Sequence, residues 1–363
     1  MSKTLKKIIF LIITCTLYSC KSTASRNTLS FQQSNQQKNE VIFTVDERTE
    51  FFRTVFNLAA ANELDEKMRP CETGYYKETK EYFKSYLNHP LLAYVLNNDN
   101  IRIDFSTLGL MYKDFESFEF DNSYLNDLKD LGLTEKDLNE LKPLLLDFYQ
   151  KTNFKKFFFD HQPYYKKAVA GLQSEIQKEQ LFDQIEFFYQ SRRENLKFIV
   201  FVELTNNANN KALPFYDHNN PNIRALILTN LCDSIQNPKL TNDVLTLDPD
   251  KRNILCHEIS HIFTIALLEK YIGKLSDFKS LCKDCSDVKT KDFIDHRIIS
   301  PLQAILIKRL NNDLTGEIFF ETKCTDIRKE VYKILKTYDP NGDIPFETIY
   351  KECVEIIRKG AAI

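Results

Sequence analysis

Five consecutive residues, His257-Glu258-Ile259-Ser260-His261, hold the chemistry most legible in this 363-residue chain. Histidines four apart on a helix project from one face, so their imidazoles can share a single divalent ion. Glu258 is offset by one residue and would sit beside that ion. A carboxylate there can take a proton from water and pass it to a leaving group. The bland reading is a helix with two unrelated histidines, and with only 6 His in the chain such spacing is seldom accidental. Context also favours the metal. Asp248-Pro249-Asp250 reads as a helix start, with an N-cap Asp, a Pro at the first helical position and an acid facing the positive end of the dipole. The helix is expected to run through Ile254, Leu255, Phe263 and Leu267 and to end before Gly273. These residues predict Zn2+ as cofactor, His257 and His261 as ligands, and Glu258 as the catalytic base of a hydrolase.

A third ligand must come from elsewhere. The long motif that supplies it from the same helix needs Gly at 264 and His at 267, where this chain has Thr264 and Leu267. Glu269 lies eight residues beyond His261, on the order of 12 Å along the axis, too far to share the ion. Asp295-His296 opens the apolar stretch Ile298, Ile299, Leu302, Ile305, Leu306 on a following helix. His296 is the favoured ligand. Asp295 is either its supporting partner or the ligand itself, and Glu317 and Glu321 are outside candidates.

The elements that must position these residues follow from periodicity. Val41–Val45 reads as a short strand, and Asp46 as the N-cap of a helix through Phe52, Val55, Phe56 and Leu58. Helical spacing continues near 76–87, 122–130, 135–151 and 162–191, with Thr134 and Asp137 forming a capping box. At Leu196 the pattern changes. Lys197–Leu204 and Ala225–Thr229 read as strands, and the Asn- and Pro-containing stretch 206–222 between them as loop. After residue 262 the chain is helical to its end. His89, His161 and His218 read as surface or loop histidines. His218 has some claim as a transition-state donor and Asn230 as a contact to a substrate backbone. The Phe and Tyr stripes at 154–165 and 182–189 read as core.

The N-terminus has the form of an export signal. Lys3, Lys6 and Lys7 precede an apolar run from Ile8 through Leu17, too short to stay as a membrane span. It ends in Leu17-Tyr18-Ser19-Cys20, which looks like a bacterial lipoprotein signal, with cleavage before Cys20 and lipid on its thiol. An ordinary cleaved signal is the alternative. This gives a signal at 1–19, a flexible tether at 20–40 rich in Ser, Gln and Asn, a helical region at 41–191 and a catalytic region at 192–363. Seven cysteines remain beyond the signal, an odd number, so at least one is expected to stay free. Cys282 and Cys285 are expected to form a local disulfide or remain thiols. A formal charge of −2 provides no field for nucleic acid. Eight glycines among 363 residues favour a helical protein over a turn-dense sandwich.

Three stretches, Val45–Glu50, Phe157–His161 and Cys256–His261, resemble an uncharacterised family of exported bacterial zincin-like lipoproteins. The resemblance covers most of the mature chain. It implies an α+β, mainly α-helical fold with a short sheet beside the motif helix. It further implies a gluzincin-like metallopeptidase site completed by a Glu on the next helix, a position that His296 takes here. The expected function is a zinc peptidase acting outside the cytoplasm on peptides or proteins and tethered to the membrane by its lipid. The alternative is an inactive lipid-anchored binding or structural protein of the same fold.

Overall fold

The computed structural model describes residues 39–61, 70–98, 105–190, 196–207, 210–213, 216–229, 245–278, 291–311 and 325–360. Cys20, the signal and almost all of the tether, Asn230, Cys282, Cys285, Glu317 and Glu321 lie outside the described residues.

Strand β1 (Glu40–Thr44) leads into helix α1 (Glu47–Ala59), whose first turn is capped by Asp46 accepting from the Arg48 N–H. There follow α2 (Gly74–Phe83), α3 (Pro90–Leu96), α4 (Phe105–Leu110), a β2–β3 hairpin (Tyr112–Asp114, Glu119–Phe120), α5 (Leu125–Asp130) and α6 (Glu135–Lys151). Next come α7 (Phe154–Asp160), α8 (Gln162–Glu179), α9 (Leu181–Phe188), β4 (Lys197–Glu203), β5 (Lys211–Leu213) and β6 (Ile223–Thr229). Helices α10 (Pro249–Tyr271), α11 (Lys291–Asn311), α12 (Thr325–Leu335) and α13 (Phe346–Lys359) complete the elements among the described residues. The fold is mainly helical with a small mixed sheet, the α+β class expected.

The sheet order is β1-β4-β6-β5. β1, β4 and β6 run parallel, while β5 lies antiparallel to β6. Parallel strands are covered on both faces, which is why β4 (KFIVFVE) and β6 (IRALILT) read as nearly unbroken apolar runs. Phe198, Val200, Val202, Leu226 and Leu228 face the main core. Phe201, Ala225 and Ile227 pack on the other side with Leu110 and Tyr216. The main core is continuous from Phe43 to Ile357. Its N-terminal half is organised around Phe51, whose ring meets Phe52, Phe115, Phe118, Phe148, Tyr149 and Phe154 at centroid distances of 4.9–6.0 Å. A Cβ at Gly109 would come within 2.9 Å of the Phe52 ring and 3.0 Å of the Arg48 carbonyl, so only glycine lets α4 lie this close to α1.

The structure departs from the expected elements in several places, the β2–β3 hairpin within a stretch read as helical among them. The stretch 162–191 is two helices, because Gln180 takes a left-handed conformation (φ 54°) between α8 and α9. The loop 206–222 contains β5, a three-residue strand whose state is imposed by pairing with β6. His89 is neither loop nor surface. It is buried as the N-cap of α3, its Nδ1 accepting from Leu91 N–H at 3.2 Å and its Nε2 facing Asp147 at 3.0 Å. The capping box at Thr134 and Asp137 forms as the spacing requires.

Candidate metal centre

Helix α10 is anchored at both ends. Asp248 accepts from Lys251 N–H at the start, with Pro249 in the first turn. At the far end Gly273 adopts φ +59°, the left-handed turn for which glycine is suited. There Arg358 of α13 donates to the carbonyls of Tyr271 (2.6 Å) and Ile272 (3.2 Å). Between the ends, Ser260 is held by Tyr189, whose hydroxyl donates to Ser260 Oγ at 2.5 Å. Buried residues lie on several sides of this helix, so no single apolar stripe marks it.

His257 and His261 project from α10 toward α11, where His296 meets them. The three rings have centroid separations of 4.8, 4.9 and 5.3 Å. One nitrogen from each ring lies within 4.8 Å of the others, so the three histidines could hold a metal ion. All three are half-buried. His296 therefore sits where the third ligand was expected. Asp295, one residue earlier and almost fully buried, lies behind His261: its Oδ2 accepts from His261 Nδ1 at 2.6 Å. Glu269 is exposed and lies 3.9 Å from Lys291.

Hydrogen bonding fixes the protons on two of these rings. Gln303 donates through Nε2 to the Asn253 carbonyl at 3.0 Å, which leaves its Oε1 facing His257 Nδ1 at 3.1 Å. A carbonyl and an amide oxygen both only accept, so His257 Nδ1 must carry the hydrogen. The Asp295 carboxylate requires the same of His261 Nδ1. In the neutral imidazoles, both Nε2 atoms then present lone pairs to one another across 3.1 Å. Two acceptors at that distance repel unless a positive centre lies between or beside them. Tetrahedral zinc with Zn–N near 2.0–2.1 Å would place two ligand nitrogens about 3.4 Å apart. The donor set fits a borderline ion such as zinc, and the second layer of Asp295 and Gln303 is of the kind that orients metal-binding histidines. Tyr350 adds a weaker bond, donating to Asp295 Oδ1 at 3.3 Å.

Glu258 is buried beside this trio. Its carboxylate accepts the backbone N–H of Ala212 on β5. Burial raises it above the usual carboxylate range, opposed by the charge of His261, by the Ala212 hydrogen bond, and by His296 and Lys211. Cys256, two residues before Glu258, is a free, fully buried thiol, pushed up to about 12 by burial, and Cys353 is also free. Cys71 is disulfide-bonded.

His218 takes another place: its Nε2 faces Asp127 of α5 at 2.9 Å and its ring meets Tyr124. His161 bonds the Phe157 carbonyl through Nδ1 at 2.7 Å and packs among Tyr75, Phe157 and Tyr165. Gln303, Tyr350 and Ala212 were not singled out by the sequence. Gln303 had a signal, since it lies seven residues after His296, two turns along the same face of α11. Ala212 and Tyr350 had none. No family model, curated protein or solved structure matches the chain, so the functional reading rests on this geometry.

Proposed function

We propose that the protein is a zinc-dependent hydrolase, with His257, His261 and His296 as ligands and Glu258 as general base, and that its substrates are peptides or proteins. The observation that carries the reading is the pair of facing Nε2 atoms whose outer nitrogens are committed to Asp295 and Gln303. A zinc ion supplies Lewis acidity, making water acidic near neutral pH and polarising a carbonyl. Glu258 takes a proton from the attacking water and returns it to the leaving nitrogen. Burial favours this, because it keeps the carboxylate's proton affinity above that of an exposed glutamate. Asp295 and Gln303 hold the imidazoles in the tautomer that leaves each Nε2 available.

A peptide substrate is preferred because β5 is a strand at the end of the sheet order and touches the base through Ala212. An extended chain can add to such an edge by backbone hydrogen bonding. The arrangement of an antiparallel end strand beside the motif helix supports a zincin-like core. Export and lipid attachment at Cys20 are proposed from the N-terminal sequence, and the disulfide at Cys71 accords with an oxidising compartment. Among the described residues no helix is long and apolar enough to cross a membrane.

The test is elemental analysis of purified protein together with hydrolysis of a mixed peptide library. Glu258→Gln is expected to retain zinc while lowering turnover by about 10²–10⁴-fold. Metal-free native protein would instead point to a binding or structural role.

A further inference from the structure

Helix α11 carries a second chemical feature beside His296. At about 100° per residue, Phe293, His296, Arg297 and Ser300 share one arc of the helix surface. Phe293, His296 and Ser300 are half-buried, whereas Ile294, Asp295, Ile298 and Ile299 are sealed. This arc is the open side of α11 next to the metal centre, and Arg297 lies at its other margin.

Arg297 is only 6% exposed. Its guanidinium carbon sits 3.9 Å from the centroid of the Phe293 ring, one turn back. Its Nε has no hydrogen-bond partner, and among the described residues no carboxylate pairs with it. Among the described residues, Arg328 of α12 acts on it with a charge of the same sign. Burying a guanidinium whose Nε has no partner is unfavourable unless an anion joins it. The planar fork of arginine matches a carboxylate through two parallel hydrogen bonds, and the Phe293 ring holds the fork in place.

We infer that Arg297 recognises a carboxylate on the ligand that lies along this arc toward His296. The inference deepens the peptidase reading and rests on it only for the carrier of that carboxylate. The substrate would be a peptide with a negative group near the cleaved bond, either a free C-terminus or an acidic side chain.

Three short peptides test this by calorimetric or NMR titration of the full chain, metal-free and zinc-loaded: acetyl-Ala-Ala, its C-terminal amide, and acetyl-Asp-Ala amide. Wild type is expected to bind at least one carboxylate peptide about tenfold or more tightly than the neutral amide. Which of the two binds better identifies the source of the carboxylate. Arg297→Met should abolish the preference and leave amide binding unchanged, and Arg297→Lys should keep part of it. Equal binding of all three peptides by wild type, or a preference that survives in Arg297→Met, overturns the inference. Without peptide, Arg297→Met should melt at the same temperature as wild type or higher. A marked fall would make the guanidinium a structural partner and overturns it too. Metal-free protein that keeps the preference, in a chain that retains no zinc, would remove the hydrolase reading and leave this one standing.

Discussion

At the crossing of α10 and α11 three imidazoles turn toward one another, and Asp295 and Gln303 hold two of them from outside. At the crossing of α1 and β4 two carboxylates, Glu50 and Glu203, are buried against Arg53 and Tyr75. Both clusters are polar inclusions in apolar surroundings, yet they are completed in opposite ways. In the first, the outer hydrogen bonds are made and the Nε2 atoms of His257 and His261 face one another at 3.1 Å, in residues that remain half-buried. In the second, Tyr75 donates to Glu50 Oε1 at 2.7 Å, and Arg53 and Asn206 donate to Glu203 Oε2 at 3.0 and 2.6 Å. Glu50 Oε2, Glu203 Oε1, Thr54 Oγ1 and Thr205 Oγ1 are left without partners, all in residues with no exposed surface. Two carboxylates and one guanidinium fall one positive charge short, which favours the protonated form of Glu50. Burial is the main cause that pushes Glu50 up to about 7, and the charge of Glu203 adds to it against the Tyr75 hydrogen bond. A cluster open enough to exchange an ion with solution can serve chemistry. A sealed one ties a helix to a strand.

The comparison can be broken most directly at the imidazoles. His257→Ala should reduce bound zinc from about one per chain to near zero and bring peptide hydrolysis to background, while the α1–β4 cluster and the far-ultraviolet circular dichroism stay as in wild type. Retention of stoichiometric zinc in that variant would dissolve the distinction between the two clusters.

The sealed cluster predicts a pH effect of definite sign. A carboxyl whose folded-state pKa stands near 7 against an ordinary 4.5 contributes stability that is complete below about pH 4.5 and lost as pH rises through 7. The difference is worth roughly 3 kcal/mol. Chemical denaturation between pH 5 and 8 should show this decline in wild type and a smaller one in Glu50→Gln. A remaining slope is expected from Glu186, which burial also raises to about 7. Identical slopes in both proteins would mean that Glu50 does not hold the proton.

Smaller effects belong to the outer layer of the metal centre. Asp295→Asn and Gln303→Ala should each weaken zinc binding by about 10–100-fold without removing a ligand, as read by competition with a chelating dye. Affinities equal to wild type would show that the rings need no outer support. Smallest of all is Tyr350→Phe. It deletes a 3.3 Å hydrogen bond to Asp295, with about 0.5 kcal/mol of stability and less than a threefold change in zinc affinity expected.

What the sequence determined by itself is whatever depends on a few neighbouring residues. Asp248-Pro249 starts α10 because an N-cap oxygen and a proline ring act within one turn, and Gly273 ends it through its own φ. The spacing of His257 and His261 guarantees a shared face on any helix, and the apolar runs of β4 and β6 declare strands buried on both faces.

Only the tertiary structure placed the His296 ring beside the other two imidazoles and Asp295 behind His261. Consecutive side chains on a helix point about 100° apart, so the rotation of α11 against α10 selects which one reaches the imidazoles and which supports them. The same holds for Gln303, whose role requires the Asn253 carbonyl on another helix to fix its amide. It holds for β5, three residues in an Asn-rich stretch that become a strand because β6 offers them an edge. Contacts between distant segments depend on packing angles and pairing partners, and no local run of residues encodes either one.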